Sequence, residues 1–574
     1  MSVTMHRSLL GSLLLALCSV AAAASLRDGE RLYNEGVLPD NTEVIASVMG
    51  GASLSGQFAA CVRCHRPSGY GSSEGNLQIP AIAGSVLFSP LEPRRDRLFR
   101  QLYQERQDDL ARMRAKIPQI RQAYASAADL GLAVNHGLDS EAEPLAASMP
   151  RYSLSPDALQ SLTLYLQQLG ASADPGVDQN ELHLATVLGP GVPPDKAKAM
   201  LEVMEAFVTL HNREIERELT HPGFSPNYKV LYAPSRRFWH LHVWRLEGTA
   251  EEWPQQLNTY YQQQPVFAML GGQVEGAWLP IDQFCESMKL PCLFPLTQRP
   301  ASSDGHFTRY LSTGRSGEVE MAVRYLAEAG VQELSIVRDN QADSKQLADL
   351  FQALAPSTQL RLQTFDWAAA FEPVLSSSND RSDGDSVCQL SGVANRLSAE
   401  NQALVLLLSP AHARQALQCL EASRYAGTLL LIGSQLADGR GHPVLNTARP
   451  VLVTWQTAVP GHEPRRLYRL RRWLQARRVA DINHEQLQLN TYLALDATRH
   501  ALTHLLDRYS REYYLETIEH EIENGLNPGT FIRLSLGPEQ RYAAKGGQVM
   551  QLQTDGALTA IGARSDGLQG HRRE

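Results

Sequence analysis

Two cysteines and a histidine crowd into five positions at Cys61-Val62-Arg63-Cys64-His65. Three chemistries use such a run: a zinc corner, a redox dithiol, and thioether attachment of haem with the adjacent histidine on iron. A zinc site needs about four ligands, usually with a second paired cluster, and the next cysteine after Cys64 is Cys285. A thioredoxin-like dithiol needs a flanking βαβ pattern; the Gly/Ser-rich surroundings of this run carry none. Covalent haem c is therefore the leading reading, and it requires a second axial ligand.

Residues 145–169 read LAASMPRYSLSPDALQSLTLYLQQL. Met149 stands in a loop before Pro150. Ser155 is placed as an N-cap, with Pro156 at the first helical position. Leu159, Leu162, Leu166 and Leu169 then recur at helical spacing, which predicts a closing amphipathic helix. A lone methionine is ordinarily a core residue, but here the order of segments matters. CxxCH, a Gly-rich loop, IPAIAG, a helical stretch and MPRY before a last helix together resemble a class I c-type cytochrome. The resemblance covers residues 25–170. It implies an all-α domain holding one haem c between His65 and Met149. It further implies that the Pro80 carbonyl accepts from His65 Nδ1–H, that Ile82 and Tyr152 lie near the macrocycle, and that a first helix around DGERLY (28–33) packs on the last. Two segments depart from the family: residues 36–58 lengthen the approach to the motif, and residues 90–125 add a charged helical insert. Met113 in that insert rivals Met149 but lacks the Met-Pro turn. A thioether ligand favours Fe(II) and raises the potential. Filling both axial positions leaves no site for substrate, so the expected role is electron transfer.

The compartment follows from the first residues. His6 and Arg7 precede an apolar run at 9–20, and Ala22-Ala23-Ala24 supplies small residues for cleavage. That is a signal peptide over residues 1–24, cut near Ala24. The run is too short to span a bilayer, and no later stretch reaches spanning length, so the expected location is the periplasm. Leu17 is larger than lipoprotein processing favours, so Cys18 is expected to leave with the leader. Hydrophobic residues make up 43% and charged residues 20%, a globular composition. Lys+Arg 53 against Asp+Glu 61, with no long basic run, gives no reason to expect nucleic acid or an anionic membrane as a partner. In an oxidising compartment, Cys285 is expected to pair with Cys292 and Cys388 with Cys419 by proximity.

GASADPGVDQN (170–180) reads as a small, polar linker over 171–180. Beyond it the character changes. Apolar strands are expected at 183–189, 265–271, 291–295, 333–339, 403–409, 428–434 and 450–455. Amphipathic stripes alternate with them, such as Met200, Val203, Met204, Phe207 and Leu210, or Val319, Ala322, Val323 and Leu326. This pattern means parallel sheets covered on both faces, in two α/β lobes rather than a barrel. VFAMLGGQVEGAWLPIDQFCESMKLPCLFPLTQRP, followed by YLSTGRSGEVEMAVRYLAEAGVQELSIVRDN, resembles the type I periplasmic solute-binding proteins of the branched-chain amino acid and amide receptor family. The resemblance spans 181–553 and leaves a flexible tail at 554–574. It implies a small-molecule ligand between the lobes, at the carboxyl ends of strands. The candidate pocket residues there are Gly272, Gln273, Glu275, Thr297, Arg338, Ser409, Gln435, Trp455 and Gln456. Thr297 in FPLTQRP matches the family's carboxylate-binding loop. GGQVEGA lacks the serine that amino-acid receptors offer, which argues against a simple amino acid.

Other constellations are weaker. His240 and His242 in WHLHVW share one face of a strand and suit a metal, but no third ligand is evident. Alternating exposed residues explain them more cheaply. INHEQLQ and IEHEIEN lack the second histidine of a zincin, and GPGVPPDK is not a phosphate loop. The leading function is an exported electron carrier whose binding module couples to, or docks, a redox partner such as a dehydrogenase or another cytochrome. A periplasmic ligand or redox sensor is the alternative. An oxidoreductase acting on a cleft-bound ligand comes third, because no flavin or nicotinamide fingerprint is present; a non-enzymatic protein is the expectation.

Overall fold

The computed structural model describes residues 24–561, apart from 49, 75–76, 90–121, 221–235, 302–303, 374–387, 391–401, 423–424, 426, 438–442, 444, 446, 449, 460–464 and 528. The expected leader, the core of the charged insert and Met113 lie outside the described residues. The chain divides into two compact units, Met1–Ser172 and Ala173–Glu574. Among the described residues no helix is long and apolar enough to cross a membrane.

In the smaller unit, Ser25 accepts from the Asp28 N–H and starts the helix Leu26–Glu35, which ends at a left-handed Gly36. The closing helix, Pro156–Gln168, is capped by Ser155 with proline in its first turn. The two helices cross closely: a Cβ added at Gly29 would lie 2.0 Å from the Ser161 carbonyl oxygen. Tyr33 and Tyr165 pack beside the crossing with ring centroids 5.3 Å apart. Leu32, Tyr33, Leu159, Leu162 and Leu166 are buried there, each contributing about 1.5–3 kcal/mol by leaving water.

The all-α expectation is corrected in this unit. The added residues 36–58 build a hairpin, Ile45–Ser47 with Ser53–Ser55, whose first strand also pairs antiparallel with Arg151–Tyr152. The extension therefore fastens the segment that follows Met149-Pro150. A second ribbon pairs Ser72–Glu74 with Leu77–Ile79.

The larger unit holds two α/β lobes. The first sheet is parallel throughout, ordered Thr308–Arg309, Cys292–Leu293, Ala268–Leu270, Glu181–Leu188 and Phe238–Arg245. The second has five parallel strands, Arg361–Asp366, Glu333–Arg338, Gln402–Leu407, Thr428–Ile432 and Val451–Trp455. Gln548–Leu552 and Leu558–Ala560 then extend it antiparallel. The helix Pro194–Thr220 buries Met200, Val203, Met204 and Phe207, and Gly314–Glu328 buries Val319, Ala322, Val323 and Leu326. Chain segments joining the lobes are hydrogen-bonded side by side: Ala543 N–H to the Tyr310 carbonyl (2.9 Å), and Ala458 N–H to the Thr530 carbonyl (3.0 Å).

Both ends of this unit reach further than expected. Residues from 174 onward are not a loose tether. The Asp174 carboxylate accepts from the Arg511 N–H at 2.6 Å, and the Asp174 N–H donates to the Tyr509 carbonyl at 2.9 Å. At the other end, strand Leu558–Ala560 lies within the proposed tail, so the sheet rather than a frayed end continues past 553. Cys285 and Cys292 form a disulfide. Cys419 is also disulfide-bonded; the side chain of Cys388, its expected partner, lies outside the described residues.

Candidate functional site

The CxxCH run folds as a single turn, Val62–His65, with the His65 N–H bonded to the Cys61 carbonyl at 2.9 Å. The chain then reverses through Arg66, Gly69 and Gly71, all at positive φ. Gly71 has to be glycine: a Cβ there would stand 2.1 Å from the Ile79 carbonyl oxygen. That close approach brings Pro80 over His65, and His65 Nδ1 lies 2.9 Å from the Pro80 carbonyl oxygen. The carbonyl can only accept, so Nδ1 carries the proton and Nε2 carries the lone pair. His65 is 8% exposed. Burial pushes its pKa down to about 4 against the pull of the Pro80 carbonyl, which keeps the imidazole neutral.

Cys61 and Cys64 are thiols rather than a disulfide. Burial pushes the Cys61 thiol up to about 12. The Tyr152 hydroxyl donates to the Ala59 carbonyl at 2.8 Å beside it, and burial raises the phenol as well. Ile82 packs, partly buried, on the same core, and its N–H donates to the Gly69 carbonyl at 2.7 Å. Met149 is half-buried in a turn; its N–H bonds the Ala146 carbonyl, and its own carbonyl accepts from Arg151.

In the larger unit, a cleft of about 500 Å³ collects the loops that follow the carboxyl ends of strands from both sheets. Gln273, Glu275, Thr297, Trp455 and Gln456 of the expected set line it. Gln273 is anchored by donating to the Lys196 carbonyl, Thr297 Oγ1 accepts from the Arg299 N–H, and Gln456 donates to the Gly314 carbonyl.

Four expected residues are not in the lining. Gly272 is buried under Val187 and Trp278, where it accepts from the Leu296 N–H. Arg338 leans out to pair with Asp366 at 3.2 Å. Ser409 caps the turn into the helix Pro410–Ala422, its N–H held by Asp339. Gln435 turns toward Ser344. Arg338, Ser409 and Gln435 each lie at or just past a strand end, but the helix or strand beside it takes the side chain.

The lining residues that sequence reasoning missed include all but one of its titratable groups: Lys196, Arg299, Arg315, Glu318, Asp343 and His484. Arg315 grips Asp343 with both terminal nitrogens, at 2.6 and 2.7 Å. Arg299 reaches Asp343 from the other lobe at 3.4 Å. The Arg315 hydrogen bond, followed by the two arginine charges, holds the Asp343 carboxyl below its usual range. His484 pairs with Asp195 at 3.0 Å.

Glu318 is the unusual member. It is 3% exposed, yet only Oε1 is satisfied, by the Ser434 N–H at 3.1 Å and Thr454 Oγ1 at 3.3 Å. Oε2 has no hydrogen-bond partner among the described residues. Burial raises its pKa to about 7, with the Ser434 and Thr454 bonds and the Arg315 charge pulling downward. The sequence carried a signal for it: Glu318 stands four residues before Ala322, a carboxylate on the buried stripe of its helix.

No family model and no curated protein matches the chain. Solved structures with a similar trace include an extracellular ligand-binding receptor from Verminephrobacter eiseniae (14% identity, TM-score 0.42, covering 66% of this chain and 99% of that one). A branched chain amino acid ABC transporter protein from Thermus thermophilus with bound valine gives 14% identity and TM-score 0.44, over 67% and 96% of the two chains. A putative branched-chain amino acid ABC transporter protein from Rhodospirillum rubrum gives 12% identity and TM-score 0.45, over 66% and 100%.

Proposed function

We propose that the chain is an exported, periplasmic electron-transfer protein with two working parts. One holds a covalent haem c on Cys61 and Cys64, with His65 and Met149 as axial ligands. The other, built like a type I periplasmic binding protein, holds a small solute between its lobes and couples to or docks a redox partner.

The observation that carries the haem reading is the His65–Pro80 contact. A ligating imidazole needs its far nitrogen fixed by an acceptor, and Nδ1 is held 2.9 Å from the Pro80 carbonyl oxygen. Two thiols within one turn of that ring suit attachment, in which each S–H adds across a vinyl double bond. When bound, the haem would supply one-electron chemistry at a potential raised by the thioether. The protein's own part is to keep His65 neutral and oriented, and to hold Met149 through the strand Arg151–Tyr152.

The cleft favours a polar solute. Its walls bring together Lys196, Glu275, Arg299, Arg315, Glu318 and Asp343, and Glu318 Oε2 calls for a donor on the ligand. Loops at the carboxyl ends of parallel strands are where open α/β folds bind small molecules. Native mass spectrometry of protein purified under mild conditions tests both parts at once. A haem increment that persists after denaturation, with a further small mass lost on activation, supports the reading. The apo mass alone contradicts it.

A further inference from the structure

The three histidines at one end of the first sheet were not used by either site. His240 and His242, set aside in the sequence for want of a third ligand, acquire one from the neighbouring strand. The parallel register sets His183 against His240 and Ala185 against His242, so all three imidazoles share one face. The rings of His183 and His240 stand 5.3 Å apart, and those of His183 and His242 5.2 Å. Two carboxylates join them. Glu181 lies two residues before His183, on the same face of the strand. Asp178 is folded back by a turn in which its N–H bonds the Glu181 carbonyl at 2.9 Å.

We propose that Asp178, Glu181, His183 and His240 form a binding site for a divalent transition-metal ion of the zinc class. Ligand atoms about 2.1 Å from one ion at tetrahedral angles stand roughly 3.4 Å apart. Here His183 Nε2 lies 3.1 Å from Asp178 Oδ2 and 3.9 Å from Glu181 Oε2. His240 Nε2 lies 3.4 Å from Glu181 Oε1. The donor set is two imidazoles and two carboxylates, which suits zinc better than calcium or magnesium, both of which prefer all-oxygen shells.

The surroundings fit as well. His183 is 8% exposed, and its remaining nitrogen, Nδ1, lies 3.0 Å from His242 Nε2. Metal-bound histidines commonly donate their other N–H to such an acceptor, so His242 is a positioning residue rather than a ligand. The side chains of Asp178, Glu181 and His240 are 67%, 48% and 45% exposed, which leaves the ion a path in from solvent. Without an ion, His242, His183 and Asp178 can form a plain hydrogen-bond relay, and the experiment separates the two.

The full-length protein, stripped with a chelator and dialysed, is titrated calorimetrically with ZnCl2. One ion per chain is expected. His240→Ala and Asp178→Asn, both at exposed positions, should each weaken binding tenfold or more with unchanged far-UV circular dichroism, and His242→Ala should weaken it within the 10–100-fold range of an outer-shell partner. Absence of stoichiometric uptake overturns the site. So does uptake that none of the three substitutions alters, since that places the ion elsewhere.

Discussion

Replacing Glu318 by glutamine tests the reading of the cleft through a pH signature. Folding raises the Glu318 pKa from its ordinary value of 4.5 to about 7, chiefly by desolvation. A carboxyl whose folded pKa lies above its unfolded value binds its proton more tightly when folded. Its contribution to stability is therefore present at low pH and is lost as pH rises from about 4.5 to about 7. The separation between 4.5 and about 7 corresponds to about 3 kcal/mol at full ionisation, of which roughly 2–3 kcal/mol falls between pH 5 and pH 8. Glutamine keeps an acceptor for the Ser434 and Thr454 bonds but cannot ionise. All seven tryptophans, from Trp239 to Trp473, belong to the larger unit. Tryptophan fluorescence during urea unfolding therefore reports this unit alone. The difference between wild type and Glu318→Gln should swing toward the variant by roughly 2–3 kcal/mol from pH 5 to pH 8. Parallel stabilities across that range would refute the buried, half-satisfied carboxylate. A ligand presenting a cationic donor should bind wild type more tightly as pH rises through 7, and Glu318→Gln should abolish that dependence.

Three further outcomes are expected. Met149→Ala should remove the sulfur-to-iron charge-transfer band of the oxidised protein and lower the midpoint potential, whereas a surviving band would assign the position to another residue such as Met113. A protease site placed at residues 172–173, where the two units divide, should release a coloured fragment with its spectrum intact and a colourless fragment that still unfolds cooperatively; a collapsed spectrum would contradict two independent cores. If solute binding and haem oxidation state are linked, saturating solute should move the midpoint, about 59 mV for each tenfold difference in affinity, and an unmoved potential in a spectroelectrochemical titration would leave the larger unit as a docking module.

Much of this architecture was legible because periodic burial writes itself into sequence. The Ser155-Pro156 start, the leucine stripe behind it and the strand–helix alternation beyond residue 181 each appear where the pattern put them. The Pro80 contact was legible through resemblance alone; what makes it physically necessary is Gly71, whose missing Cβ lets the chain close over His65. Long-range pairing was not legible. Nothing local tells that residues 45–47 will pair with 151–152, so the extension read as a detour rather than a strand. Strand ends were identifiable, but which side chains turn into the cleft was not. Arg338 is diverted by Asp366 on the neighbouring strand, and Ser409 Oγ accepts from the His412 N–H of the helix it caps. Arg315, Glu318 and Asp343 enter from the other lobe's helices. The same limit hid His183, which meets His240 only through the parallel register of two strands separated by a long helix.

The central claim, a haem covalently held at Cys61 and Cys64, is tested most directly by denaturing mass spectrometry of the intact protein beside a Cys61→Ala/Cys64→Ala variant. The account predicts one haem mass on the wild-type chain that survives acid and organic solvent, with a pyridine haemochrome of thioether type, and its complete absence from the variant. A wild-type chain carrying no haem, with Cys61 and Cys64 joined as a disulfide or holding zinc, would contradict it.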